Sequence, residues 1–155
     1  MKRVALGLGA AALGAAYILL RRRHHGGSEE VVRAYFDAWS DGDGEAIRDL
    51  VSDDYQAHVQ TLGGMEERGA DELISVVDNH AKAFSEVDYE LHDLLCHNGC
   101  VAVRATMHAR HEETGREGEI DGIAILRVDG GRVAEEWSSW DYLSLVDQLG
   151  LAEGG

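Results

Sequence analysis

The chain has 155 residues, enough for one domain and too few for a cofactor-binding domain beside a separate substrate domain. Hydrophobic residues make up 45% of it, with three Trp, five Tyr and no Pro, so it carries the material of a packed core and is neither collagen-like nor low-complexity. The formal net charge is -15, and Lys2, Arg3, Arg21, Arg22 and Arg23 all fall in an acid-free opening stretch, so the remainder is more acidic still. Such a body repels nucleic-acid phosphates and has no basic stripe to replace their counterions, which argues against DNA or RNA as a partner. Beyond that stretch Lys82 is the only lysine. Acid excess with so little lysine suits a solvated surface in very salty water, as in a halophile.

Val4 to Leu20 is an unbroken apolar run between Met1-Lys2-Arg3 and Arg21-Arg22-Arg23. This is the pattern of an uncleaved membrane anchor over 1–23, with the arginine cluster keeping the following domain on the cytoplasmic side. His24-His25-Gly26-Gly27 reads as a flexible linker over 24–27, and the domain proper as 28–151. Ser28 can N-cap a first helix on which Val32, Tyr35, Phe36 and Trp39 recur at helical spacing. Asp41-Gly42-Asp43-Gly44 ends it, and Ile47, Leu50 and Val51 give a short second helix. Residues 54–60 then alternate like a strand, which puts Gln56 and His58 on one face.

After a Gly-rich break, Leu73, Val76, Val77, His80 and Phe84 form the stripe of a third helix, with His80 read as a core histidine. From Val87 the period changes to two. Val87 to Cys96, Cys100 to His111, Glu117 to Val128 and Arg132 to Trp140 read as four strands, with Asn98-Gly99 and Asp129-Gly130-Gly131 as hairpin turns. Leu143, Leu145, Val146 and Leu149 mark a closing helix. Helices first and a meander afterwards predict an α+β fold, with the helices packed on the concave face of a curved antiparallel sheet. Cys96 and Cys100 flank a turn, where one disulfide is sterically open but two reduced thiols are the commoner outcome. A single such pair lacks the ligands of a zinc site, so no metal is expected. No phosphate-cradling glycine motif, GxSxG elbow or HExxH helix occurs.

From Ser28 to Leu151 the sequence resembles the SnoaL-like polyketide cyclases, or ester cyclases, of the nuclear transport factor 2-like superfamily. The resemblance rests on Tyr35-Phe36-Asp37-Ala38-Trp39, Asp54-Tyr55 with His58, Gly69 with Glu72-Leu73, and Val101 to Arg104 leading to His111. It is closest at the end, from Ile123 through Asp129-Gly130-Gly131-Arg132 to Glu135-Glu136-Trp137, Trp140-Asp141 and Gln148-Leu149-Gly150. It implies a cone-shaped α+β barrel with an apolar pocket, a small hydrophobic ligand, acid/base chemistry without a cofactor, and dimerisation through the sheet.

By that resemblance Asp141, ending the last strand, is the candidate catalytic acid, and His58 and His111 match histidines that orient or protonate a substrate oxygen. A carboxylate in an apolar cavity has its pKa raised by desolvation and can exchange a proton with carbon. Asp141 also directly precedes a helix, the position of an N-cap. Tyr35, Trp39, Trp137 and Trp140 are candidates for an aromatic substrate wall. The aldol cyclases carry a histidine on the strand matching Glu117 to Val128; this chain has none there, and Glu119 and Asp121 stand as acidic alternatives. The functional expectation is cyclisation or isomerisation of a hydrophobic carbonyl compound; the alternative is a non-catalytic ligand-binding or dimerisation module of the same fold.

Overall fold

The computed structural model describes residues 27–152. The Val4 to Leu20 run and most of the linker lie outside them, and among the described residues no helix is long and apolar enough to cross a membrane. Helix α1 covers residues 27–41 and buries Val32, Tyr35, Phe36 and Ala38. Ser28 is already helical and buried, so it does not stand outside the helix as the expected cap. Helix α2 (Gly44–Leu50) is capped by Asp43, whose carboxylate accepts from the Ala46 N–H.

Strands β1 (Val51–Thr61) and β2 (Gly64–Gly69) form a hairpin, and helix α3 (Ala70–Ala83) follows directly. Glu72 closes the start of α3 by accepting from the Gly69 N–H at 2.7 Å. A four-strand meander comes next: β3 (Phe84–His97), β4 (Cys100–His111), β5 (Glu117–Asp129) and β6 (Arg132–Trp140), before helix α4 (Tyr142–Gln148). Positive φ at Asn98 and Gly99, and at Gly130 and Gly131, gives the two tight turns the twist that hairpins require.

The strand order is β2-β1-β6-β5-β4-β3. The sheet is curved but mixed rather than antiparallel throughout, because β1 docks parallel to β6 while the other neighbours run antiparallel. Parallel neighbours need a long crossover, and here the whole β2 to β5 stretch supplies it. The β2 edge strand replaces the expected Gly-rich break; Gly64-Met65-Glu66-Glu67-Arg68-Gly69 has no apolar alternation because much of it is exposed. Phe84 opens β3 instead of closing α3.

Cys96 and Cys100 are not joined by a disulfide. Cys96 opposes buried Val101 and Cys100 opposes His97, so adjacent rungs turn the two thiols to opposite faces and the hairpin-end disulfide has no geometry to form.

Two buried clusters fill the space under the helices. The larger joins α1 and α3 to the inner residues of β1, β4, β5 and β6; the smaller joins Leu145 and Leu149 of α4 to Met107, Ala109 and Ile120. Gln148 fastens α4 to β5, its amide donating to the Glu119 carbonyl and accepting from the Glu119 N–H, both at 2.8 Å. Gly122, opposite Trp140, is fixed by contact: a Cβ there would overlap the indole ring, which lies across the strand.

Candidate functional site

A cavity of about 540 Å³ opens between the inner face of the sheet and helices α1, α3 and α4, within the range of small-molecule sites. Strand alternation chooses its lining. Tyr55, Ala57 and Val59 come from β1, Met107 from β4, Ile120 from β5, and Glu136, Ser138 and Trp140 from β6. Tyr35 and Phe36 project from α1, with Trp39 about one helical turn further on. The aromatic side wall is continuous: Phe36 lies 5.5 Å from Tyr89, and Tyr89 lies 5.4 Å from Trp140 and 6.5 Å from Trp39, measured between ring centres. Leu62, exposed at the β1–β2 turn, marks the mouth, where Arg68 and Glu66 pair at 2.7 Å.

The polar centre of this apolar space is Glu136, only 8% exposed. The Tyr35 hydroxyl donates to its Oε2 at 2.7 Å and the Tyr55 hydroxyl donates to the same oxygen at 2.9 Å, while the two hydroxyls are 3.3 Å apart. Burial, and then the Glu136 carboxylate, push the Tyr35 and Tyr55 phenols well above their ordinary range, so both remain protonated donors. Arg68 offsets part of that rise at Tyr55. Hydrogen bonds to a charged acceptor are worth about 1.5–3 kcal/mol each, so the pair orders the carboxylate it serves.

His80 of α3 lines the opposite wall, its ring 5.7 Å from Trp39 and 4.8 Å from Phe84. Its Nδ1 is buried without a hydrogen-bond partner. Burial alone lowers its pKa to about 4, so the imidazole is neutral near neutral pH. Among the described residues no group of three or more His, Cys, Asp or Glu side chains is arranged to hold a metal ion.

The expected site residues divide by face. Tyr35, Trp39 and Trp140 line the cavity. His58 and Trp137 lie on the outer face of the sheet, stacked at 5.3 Å, with His58 Nε2 3.2 Å from Glu135 Oε1. The reason is alternation: Ala57 and Val59 take the inner positions of β1, and Glu136 and Ser138 those of β6. Glu119 and Asp121 also face outward, on either side of inward Ile120; Glu119 meets His108 at 3.2 Å, and Asp121 accepts from Thr106 at 2.7 Å.

His111 is buried behind Phe84, with Nδ1 3.0 Å from the Thr114 hydroxyl, and does not line the cavity. Asp141 is exposed and caps α4, its Oδ1 accepting from the Ser144 N–H at 3.1 Å. Its carboxylate therefore satisfies a helix end, and it does not line the cavity. The expected convergence of Asp141 with a histidine is absent from the cavity, and Glu136 with Tyr35 and Tyr55 occupies it instead. Glu136 was legible in the spacing, since a strand that turns Trp140 inward also turns residues 138 and 136 inward.

The family model for SnoaL-like polyketide cyclases matches residues 29–149, the helices and the whole sheet together. The chain belongs to this family. Among solved structures, the SnoaL-like domain is similar to a candidate polyketide cyclase from Bacillus cereus at 26% identity, with 81% of each chain covered and a TM-score of 0.71. IdmH, a candidate polyketide cyclase from Streptomyces antibioticus, is 23% identical over 79% of this chain and 98% of its own, with a TM-score of 0.71. AclR, a candidate hydroxylase from Streptomyces galilaeus, is 21% identical over 82% and 98%, with a TM-score of 0.72. These last two likenesses carry the fold alone. A search of curated proteins finds no significant match.

Proposed function

We propose that the SnoaL-like domain is an acid/base enzyme that works without a cofactor on a hydrophobic carbonyl compound, cyclising or isomerising it in the cavity. The observation that carries this reading is the Glu136 carboxylate, held by two tyrosine hydroxyls at 2.7 and 2.9 Å inside an apolar cavity. Glu136 takes a proton from a carbon made acidic by an adjacent carbonyl. Once protonated it needs fewer donors, which frees a Tyr35 or Tyr55 hydroxyl to bond the oxygen where negative charge develops. In an isomerisation the same groups return the proton to carbon at the new position; in a cyclisation the enolate carbon adds to a second carbonyl of the same molecule, whose C=O π bond opens, and the proton goes to the alkoxide formed.

The test is exchange of the acidic C–H hydrogens of β-tetralone for solvent deuterium, followed by NMR. The wild-type chain should accelerate it well beyond buffer, and Asp141→Asn, altered only at the outer cap of α4, should keep that rate. A wild-type rate equal to buffer would refute the reading.

A second copy of the chain is the partner that the outer face fits. Leu95, Ala102, Ile125 and Trp137 stand opposite one another across four strands, and Leu95 is 72% exposed. Asp93 with Arg104 and Glu135 with Arg127 leave this patch locally neutral on an acidic body, so two copies can approach there. Sedimentation should give a dimer that Ile125→Lys converts to monomer; a monomeric wild type contradicts it. An anchor over 1–23, holding the domain at the cytoplasmic side of a membrane, remains part of the proposed setting.

A further inference from the structure

Resting on the reading of the cavity as a substrate site, the geometry points to His80 as a specificity-determining hydrogen-bond donor for a second oxygen of the ligand, remote from the one handled at Glu136. Nδ1 of His80 is buried and has no partner. A proton there would leave a donor stranded, which is the costlier kind of orphan, so the neutral ring carries its proton on Nε2. His80 lines the cavity, its ring Nδ1 has no partner, and Nε2–H is the donor left for a ligand.

Two aromatic rings pack on the imidazole: Trp39 meets it edge-on at 5.7 Å and Phe84 lies tilted against it at 4.8 Å. From His80 an unbroken series of aromatic contacts runs through Trp39, Tyr89 and Phe36 to Tyr35, which holds Glu136. Polar groups thus stand at both ends of this contact series, His80 at one and Glu136 at the other. A flat apolar ligand with one oxygen satisfies only one end. The fitting class is a planar, at least two-ringed compound bearing a hydroxyl or carbonyl oxygen at each end, and a site that offers a donor in the cavity wall discriminates against the analogue lacking the acceptor.

Binding of two probes tests this independently of turnover: a naphthol with one hydroxyl, and a naphthalenediol with a hydroxyl on each ring at opposite ends. By calorimetry the wild type should prefer the diol by about tenfold, the worth of one hydrogen bond. His80→Leu should abolish the preference while leaving naphthol affinity within about twofold, and His80→Gln, whose amide nitrogen sits where Nε2 does, should restore part of it. Equal affinities in the wild type, a preference that survives His80→Leu, or failure of both probes to bind would overturn the proposal. If β-tetralone exchange is absent but the His80-dependent preference is present, the catalytic reading falls and the His80 assignment stands. If exchange is present and the preference is absent, the reverse holds.

Discussion

Glu135 and Glu136 are adjacent on β6 and do opposite things. Glu135 faces outward, where it meets His58 at 3.2 Å and Arg127 at 3.3 Å in a half-exposed surface network. Glu136 faces inward and is held by two tyrosines that burial keeps protonated. The outer carboxylate has water to solvate it and contributes little to stability. The inner one is buried and depends on the two tyrosine donors that hold it. On this sheet, the side of the strand on which a residue falls decides more than its type or its neighbours in sequence.

The largest stability difference should be the acid dependence of the inner face. Folded His80 stays neutral down to about pH 4, whereas the unfolded chain takes up that proton below its ordinary value of about 6.5. The contribution is therefore complete above about pH 6.5 and is lost as pH falls toward about 4. Denaturant unfolding should show wild type losing about 3 kcal/mol more than His80→Phe between about pH 7 and about pH 4. Parallel pH profiles would place the ring in water rather than in the cavity wall.

Removing one donor from each carboxylate sharpens the contrast further. Tyr55→Phe should cost about 2 kcal/mol in urea unfolding because it strips a hydrogen bond from buried Glu136. Arg127→Met, which strips the solvent-reaching Glu135 on the outer face, should cost less than about 1 kcal/mol. Equal losses would erase the difference between the faces. Gly122→Ala should cost about 1–3 kcal/mol and disturb near-ultraviolet circular dichroism, since its Cβ displaces Trp140 from the cavity wall. An unchanged spectrum would show that the ring has room. The smallest effect belongs to the outer helix cap: Asp141→Ala should cost about 1 kcal/mol and Asp141→Asn only a few tenths, and a larger Asn penalty would mean that the charge has a further role.

The α+β class, the meander and its turns were legible because Val101, Val103 and Ala105, or Ala124 and Leu126, repeat with period two beside sharp glycine signals. The parallel β1–β6 contact was not, because parallel and antiparallel partners present the same alternation to a reader of one strand. Nor was β2, whose polar, exposed edge lacks any apolar signature. In the site, Tyr35, Trp39 and Trp140 emerged from helical spacing and from the aromatic residue that ends β6. His58 and Trp137 were drawn to the wrong face by residue type, although each sits one step from an inward position. Trp137 and Trp140, three apart on a strand, cannot both face the cavity. Tyr55 and Glu136 meet from strands that are neighbours in space and remote in sequence, and only the β1–β6 register brings them together.

The central claim is that proton transfer belongs to the inner carboxylate of this pair. Glu135→Gln and Glu136→Gln, each shown by circular dichroism to be folded, should be compared in the β-tetralone deuterium-exchange assay under identical conditions. The account predicts that Glu135→Gln stays within about twofold of wild type, while Glu136→Gln slows by roughly two to four orders of magnitude, the usual loss for a general acid or base. A folded Glu136→Gln chain that exchanges at the wild-type rate would contradict it.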